Sequence, residues 1–239
     1  MFLKKYKNMN TKTLKELIYL YLEKHPPAFK LFYMLEKAGN IYLIGGVLRE
    51  FRDNKELHSL RDIDIIIDVN NDEYWRKILS EFELKKNCFE GYKLFCSGLV
   101  IDFWPLDETW AYKNQIIKCS PSKYVESLTR TVFLNIDAII YDLKRGIWYD
   151  SVYQQAMETK ILDVILEWNP EIPLNVMRAI MLKRRYNLTY SIKLKNIIKE
   201  ELKADKDYSE TLMQIQQMRY KKVILSTKVI EEELMQIKE

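Results

Sequence analysis

An α+β fold is predicted by a change of sequence pattern along the chain. Up to about residue 150, short apolar runs between polar breaks alternate with helical segments, which is typical of a mixed β-sheet flanked by helices. Beyond residue 152 apolar residues recur at helical spacing, and no convincing strand remains. We therefore expect two domains: residues 1–150, with N-terminal helices and the sheet, and residues 151–239, which are all helical.

The first domain is expected to begin with two helices. Residues 12–24 have helical spacing with Thr11 or Thr13 as the cap, and Pro26-Pro27 ends this helix. A second helix over 28–37 ends at Gly39. The remaining predicted elements are strands over 41–44, 62–69, 92–98, 99–105, 134–143 and 146–151, a helix over 72–82 capped by Asn70 or Asn71, and helices over 173–187, 192–203, 207–223 and 226–238.

Composition excludes several classes of protein. No apolar run approaches the roughly 20 residues that span a bilayer, and the basic N-terminus has no apolar stretch typical of a secretory signal. A cytoplasmic protein without a membrane partner is therefore expected. The 3 cysteines and 2 histidines lack the spacing of a structural zinc site, and an odd number of thiols does not suit a disulfide framework. The net charge of +4 is a weak indication of a polyanionic partner.

A pair of aspartates interrupts the apolar run over 62–69. Residues two apart in a strand point to the same face, so Asp62 and Asp64 project together, opposite Ile63 and Ile65. Two carboxylates held this close repel each other, and a divalent cation such as Mg²⁺ offsets the repulsion. Asp102, the lone charge in the run over 99–105, is the candidate third ligand. Such a pair alone is also typical of the solvent face of a half-buried strand.

Two adjacent glycines precede this pair. Gly45-Gly46 directly follows the apolar run "IYLI", where backbone N–H groups can approach an anion without an intervening Cβ. If a helix starts here, Arg49 lies one turn later, where its cation would meet a triphosphate. A tight strand-to-helix turn explains the glycines alone, but it does not explain the arginine or the acidic strand that follows.

These residues resemble the head motif of a known family. The run "LIGGVLREF…RDIDIII" is similar to the G-G-x-V-R-D…D-x-D motif of class II tRNA nucleotidyltransferases and bacterial poly(A) polymerases, within the DNA polymerase β-like nucleotidyltransferases. Glu50 replaces the aspartate of that motif. Two further blocks follow in the family's order: "FLNIDAIIYD" (133–142) resembles a D-F-T-I-N-A-L-A-Y-D strand, and "EIPLNVMRAI" (171–180) resembles the neck helix E-D-P-L-R-I-L-R-A.

The resemblance implies a nucleotidyltransferase head followed by a helical neck and body. Two Mg²⁺ ions bound by Asp62, Asp64 and Asp102 would hold a nucleoside triphosphate such as ATP and activate a hydroxyl nucleophile, which attacks the α-phosphorus while pyrophosphate leaves. Further residues are implied at the nucleotide: Gly45, Gly46, Arg49, Arg130, Asp137, Glu171, Asn175 and Arg178.

Departures from the motifs concern the choice of base. The neck motif E-D-x-x-R presents an aspartate and an arginine to the base and selects C and A, but here those positions are Ile172 and Asn175. The R-R-D before the second block has become 131–133 (TVF), and Asp137 stands where the family has asparagine. We therefore expect a short, diverged member whose base selectivity differs from that of CCA-adding enzymes.

The acceptor is expected to be the 3′ end of an RNA, tRNA-like in kind. Lys183, Arg184 and Arg185 are candidates for contact with its phosphates, although a basic run of this kind is equally typical of an ordinary helix surface. Two alternatives stay open: transfer to a protein or small-molecule hydroxyl, and a non-catalytic RNA-binding or regulatory relative.

Overall fold

The computed structural model describes residues 13–57 and 60–238, and it confirms the α+β fold class. The chain forms two compact units. One contains the described residues up to Leu106 together with Tyr141–Ile147, and the other contains Asp107–Ile140 and the described residues from Trp148 on. This division does not fall at residue 150, because 107–140 pack with the later helices. In the described ranges, no helix is long and apolar enough to cross a membrane.

Helices α1 (Leu14–Leu22) and α2 (Pro26–Ala38) begin the first unit. Thr13 caps α1 in a reciprocal capping box with Glu16, as its sequence position predicts; Thr11, the other predicted cap, lies outside the described residues. Pro26 and Pro27 occupy the first turn of α2, where a missing N–H costs nothing. The second helix therefore begins earlier than the predicted residue 28.

A sheet of seven strands follows. Its elements are β1 (Gly39–Ile44), α3 (Gly46–Asn54), β2 (Asp62–Val69), α4 (Asp72–Glu81), β3 (Lys85–Lys86), β4 (Tyr92–Cys96), β5 (Leu99–Pro105), β6 (Ile140–Asp142) and β7 (Ile147–Tyr149). The strand order is β3-β4-β5-β2-β1-β6-β7. Strands β1 and β2 are antiparallel, β2 and β5 are parallel, and β4 and β5 are antiparallel. Helices α3 and α4 connect the early strands, and Asn71 caps α4.

The sheet region differs from the prediction at two places. Helix α2 ends at Gly39 as predicted, and this glycine, in extended backbone, also begins β1. The strand β3, at the sheet edge, was not predicted because Lys85 and Lys86 are polar, as edge strands often are. The predicted strand over 134–143 begins with a 3₁₀ turn at Asn135–Asp137, and only Ile140–Asp142 is extended.

Side-chain hydrogen bonds explain that 3₁₀ turn. The Asn135 side chain donates to the carbonyl of Ile161 at 2.9 Å and accepts from the N–H of Asp163 at 3.0 Å. The Asn135 N–H also donates to the Asp163 carbonyl at 2.9 Å. Because these groups are bonded to the segment 161–163, they are not available to a sheet ladder.

The second unit is mainly helical. Its elements are α5 (Trp110–Lys113), α6 (Tyr124–Ser127), α7 (Ser151–Thr159), β8 (Ile161–Leu162), α8 (Ile172–Tyr186), β9 (Thr189–Tyr190), α9 (Ile192–Ala204), α10 (Tyr208–Tyr220) and α11 (Thr227–Lys238). Helices α8 to α11 match the four predicted helices within a few residues. The parallel pair of β8 with β9 was not predicted, because two-residue strands leave no periodic pattern.

One buried glutamine closes the turn between α10 and α11. Gln216 is fully buried, its Oε1 accepts from the N–H groups of Ile224 and Leu225, and its Nε2 donates to the Leu225 carbonyl at 2.8 Å. The side chain thus supplies the hydrogen bonds that a neighbouring backbone would otherwise make.

Candidate active site

The glycine pair and the acidic strand come together in the first unit. Ile44, the last residue of β1, lies opposite Asp64 in the antiparallel register. Gly45 follows with φ +77° and ψ −137°, a conformation that is open essentially to glycine alone. A Cβ at Gly45 would lie 2.9 Å from Oδ2 of Asp64. Glycine is therefore required here both by the backbone and by the neighbouring carboxylate.

Helix α3 begins immediately at Gly46. A Cβ on Gly46 would lie 3.9 Å from Nη2 of Arg49, so this guanidinium lies back against the glycine turn. The N–H of Arg49 bonds to the Gly45 carbonyl, which closes the first helical turn. The site therefore combines a helix N-terminus, which attracts anions, with a cation one turn later.

The two predicted ligands on β2 share one face. The isoleucines at 63, 65 and 67 are buried, whereas Asp62 and Asp64 are only half-buried. Arg61 Nη2 lies 2.5 Å from Oδ2 of Asp62, whose side chain is 27% exposed. Because the Asp62 pair is partly solvated, its net contribution to stability is at most about 1 kcal/mol.

Asp102 lies directly beside Asp64 on the parallel strand β5, as the sequence predicted. Its carboxylate is 12% exposed and both of its oxygens have partners. Lys93 Nζ lies 2.5 Å from Oδ2, and Asn87 Nδ2 donates to Oδ1 at 2.7 Å. Lys93 is the residue opposite Asp102 on β4, so lysine and aspartate project from the same face of the sheet.

Asp62 and Asp64 on β2 and Asp102 on β5 thus project from one face of two neighbouring strands. Across the ranges 13–57 and 60–238, no three His, Cys, Asp or Glu side chains gather in a way that could hold one metal ion. Asp102 is bonded to Lys93 and Asn87. Asp62 and Asp64 remain the candidate ligand pair, since they share one face and since Gly45 leaves space beside Asp64.

A buried polar network occupies the predicted nucleotide residues of the second unit. Arg178 Nη2 donates to Oδ2 of Asp137 at 2.7 Å, and the Asp137 side chain is 7% exposed. Asn175 is buried, and its Nδ2 donates to Asn169 Oδ1 and to the Glu171 carbonyl. Its Oδ1 accepts a long 3.4 Å bond from Arg178. The amide of Asn175 is thus bonded within the unit.

The remaining predicted nucleotide residues lie at helix ends. Glu171 is exposed at the N-terminus of α8, and Arg130 is exposed at the end of a short 3₁₀ helix over 128–130. Asp142, retained in the second motif block, is buried and accepts hydrogen bonds from the N–H groups of Lys144 and Arg145. Its position is therefore explained by the β6–β7 turn.

Two of the three residues predicted to contact RNA are paired within the second unit. Glu233 of α11 is 3% exposed; Lys183 Nζ lies 2.6 Å and Arg184 Nη1 3.1 Å from its oxygens. Tyr190 also donates to this carboxylate at 3.2 Å, and burial raises the pKa of its phenol. Arg185 is exposed, and its guanidinium lies over the ring of Tyr186.

Three contributors to these sites were missed by sequence reasoning: Asn87, Lys93 and Glu233. Lys93 lies two residues into a predicted strand, and its spacing to Asp102 identifies it once the β4–β5 hairpin is known. Asn87 reaches Asp102 from a turn, and Glu233 meets Lys183 and Arg184 across about 50 residues of sequence. No local sequence pattern indicates either contact.

Solved structures of CCA-adding and tRNA-processing enzymes are similar to this chain. A CCA-adding enzyme in complex with CTP superimposes with a TM-score of 0.61 at 18% sequence identity, covering 95% of this chain and 55% of the enzyme. The fold is that of the CCA-adding enzymes. The Thermotoga maritima CCA-adding enzyme complexed with tRNA gives a TM-score of 0.58 at 20% identity and covers 95% and 54% of the two chains. A tRNA-processing enzyme in its apo form gives 0.57 at 17% identity and covers 91% and 57%.

This chain spans little more than half the length of the CCA-adding enzymes that it resembles. No family model and no curated protein matches the sequence. The CCA-adding fold is therefore established by structure, whereas the activity depends on the residues that this chain carries within the fold.

Proposed function

We propose that the chain is a nucleotidyltransferase that moves a nucleoside monophosphate from a nucleoside triphosphate to a hydroxyl group and releases pyrophosphate. The observation that carries the proposal is the close approach of Gly45 to Asp64, since a Cβ there would lie 2.9 Å from the carboxylate. An anion-binding turn and a cation-binding carboxylate thus meet at one point of a fold shared with CCA-adding enzymes.

Asp62 and Asp64 suit Mg²⁺, which commonly uses one or two carboxylates together with substrate phosphates. They lie on the same strand face, and Asp62 remains partly exposed. When bound, Mg²⁺ neutralises phosphate charge and favours the deprotonated form of an acceptor hydroxyl.

The chain's own residues bind and orient the triphosphate. The N–H groups at Gly45-Gly46 and the N-terminus of α3 bind phosphate oxygens, and Arg49 supplies a positive charge to the β- and γ-phosphates. The acceptor oxygen then forms a bond to the α-phosphorus as the bond from that phosphorus to the bridging oxygen breaks. Pyrophosphate leaves with the electron pair, and the hydroxyl proton passes to solvent.

The acceptor that we propose is a tRNA-like RNA 3′ end, supported by the fold shared with a CCA-adding enzyme that is complexed with tRNA. The base added is proposed to differ from the C and A of those enzymes. Ile172 cannot hydrogen-bond a base, and the Asn175 amide is already bonded to Asn169, Glu171 and Arg178.

The test measures transfer of label from each α-labelled nucleoside triphosphate, in the presence of Mg²⁺, to total RNA or to cell protein. Asp64→Asn is expected to reduce transfer to the level seen without the chain. Asp68→Asn is the matched control, because Asp68 lies on the same strand and face but opposite Asn40, two pleats away from the glycine turn.

Equal transfer by wild type and Asp64→Asn would refute the assignment of Asp64 to the active site. If label enters only protein, the proposed reaction stands, but the acceptor is a protein and not an RNA. Transfer restricted to CTP and ATP would refute the proposed change of base selectivity.

A further inference from the structure

We infer that Lys93 and Asn87 hold Asp102 out of the metal site, so that within the described residues Asp62 and Asp64 alone supply carboxylates to the cation of the proposed reaction. The inference rests on the proposed function and concerns the number of protein ligands. It departs from the three-carboxylate site that the sequence resemblance implies.

Both oxygens of Asp102 are occupied by donors from one hairpin. Oδ2 meets the Lys93 ammonium at 2.5 Å, and Oδ1 accepts from the Asn87 amide at 2.7 Å. The side chains of Asp102 and Lys93 are 12% and 21% exposed. A partly buried, charge-assisted pair of this kind is held more firmly than a surface ion pair.

The turn between β3 and β4 fixes Asn87 for this contact. Its Oδ1 accepts from the N–H groups of Phe89 and Gly91 at 2.8 and 2.9 Å, and its own N–H donates to the Gly91 carbonyl. A Cβ at Gly91 would lie 2.8 Å from Nδ2 of Asn87. The turn therefore leaves the second amide group of Asn87 directed at Asp102, with little freedom to move away.

The positions of Lys93, Asp102 and Asp64 across the sheet place a positive charge beside Asp102, which disfavours a metal ion there. Lys93, Asp102 and Asp64 are register partners on β4, β5 and β2, and paired residues share a face. Neighbouring strands lie about 4.8 Å apart. A divalent ion that used both Asp64 and Asp102 would lie within about 5 Å of the Lys93 ammonium, whose charge would repel it. Lys93 instead neutralises Asp102. Asp62 and Asp64 would hold the ion, and substrate phosphates would supply its further ligands.

The experiment measures binding of Mn²⁺ alone to the full chain by the loss of the electron paramagnetic resonance of free Mn²⁺. We expect Asp64→Asn to weaken binding at least about tenfold. The double variant Lys93→Met with Asp102→Asn removes one charge of each sign, and we expect it to bind within about twofold of wild type. Lys93→Met releases Asp102 and removes a nearby cation, so it is expected to tighten binding by roughly fivefold. Lys85→Met is the matched control, because Lys85 faces Lys93 on β3 but is exposed and does not contact Asp102.

Each outcome decides between the hypotheses. Weaker binding in both Asp64→Asn and the double variant overturns the inference and keeps the proposed function. No weakening in Asp64→Asn overturns both, since the pair on β2 is then not the metal site. If Lys93→Met binds Mn²⁺ no tighter than Lys85→Met, the inference is also overturned, whether or not the double variant folds.

Discussion

Replacing Gly45 tests the packing of the candidate site without any assumption about its substrate. In Gly45→Ala the new Cβ would lie 2.9 Å from Oδ2 of Asp64, and the backbone would keep φ +77° and ψ −137°. Holding a non-glycine residue in such a region costs about 1–3 kcal/mol. The contact with the carboxylate adds to this cost unless Asp64 moves, and a moved Asp64 is no longer positioned as a ligand.

Gly46→Ala is the matched control. Its Cβ would meet only the end of the Arg49 side chain at 3.9 Å, and the position is the first residue of α3. Alanine at a compatible glycine position changes stability by about 0.4–1 kcal/mol in the favourable direction. The two variants are compared by urea unfolding followed by circular dichroism.

We expect Gly45→Ala to be less stable than Gly46→Ala by at least about 1.5 kcal/mol. Gly45→Ala is also expected to weaken Mn²⁺ binding, whereas Gly46→Ala is not. Equal stability of the two variants would refute the close approach of Gly45 to Asp64 from which the proposed function is argued.

Three further outcomes concern the second unit. Glu233→Gln should lower the free energy of unfolding by about 1.5–3 kcal/mol, since Lys183, Arg184 and Tyr190 lose a charged acceptor. Exposed Glu232→Gln should change it by less than about 0.5 kcal/mol, and similar unfolding curves for the two variants would contradict this. Lys183→Met should alter RNA affinity less than about twofold by fluorescence anisotropy; a salt-dependence slope smaller by about one would instead show a phosphate contact. Asn135→Ala should cost about 1–3 kcal/mol for each partner left unsatisfied, whereas Asn114→Ala, which loses one exposed bond to Trp110, should unfold like wild type.

Periodicity predicted the elements whose pattern is long. The alternation in β2 and the helical spacing of α8 to α11 depend on burial of one face, so the order of residues is enough to predict them. The cap of α1 and the turn at Gly45 were also predictable, because each is decided by one residue's backbone or hydroxyl chemistry.

Structural features that depend on contacts distant in sequence could not be predicted from periodicity or from single residues. Asn135 leaves the strand pattern because its side chain bonds to residues 161–163, and β8 pairs with β9 across α8. In the candidate site, the aspartates could be placed on one face from the sequence, but the partners of Asp102 could not. Whether a carboxylate is open to a metal depends on which donors the neighbouring strand and turn direct at it.

The bonds from Gln216 of α10 to the α10–α11 turn have a consequence for hydrogen exchange. The N–H groups of Ile224 and Leu225 lie in a surface turn, yet both donate to Gln216, which is buried. These two amides are expected to exchange slowly, at the rate at which Gln216 separates from the turn. Slow exchange in a surface turn would thus report hydrogen bonds to a buried side chain of the preceding helix.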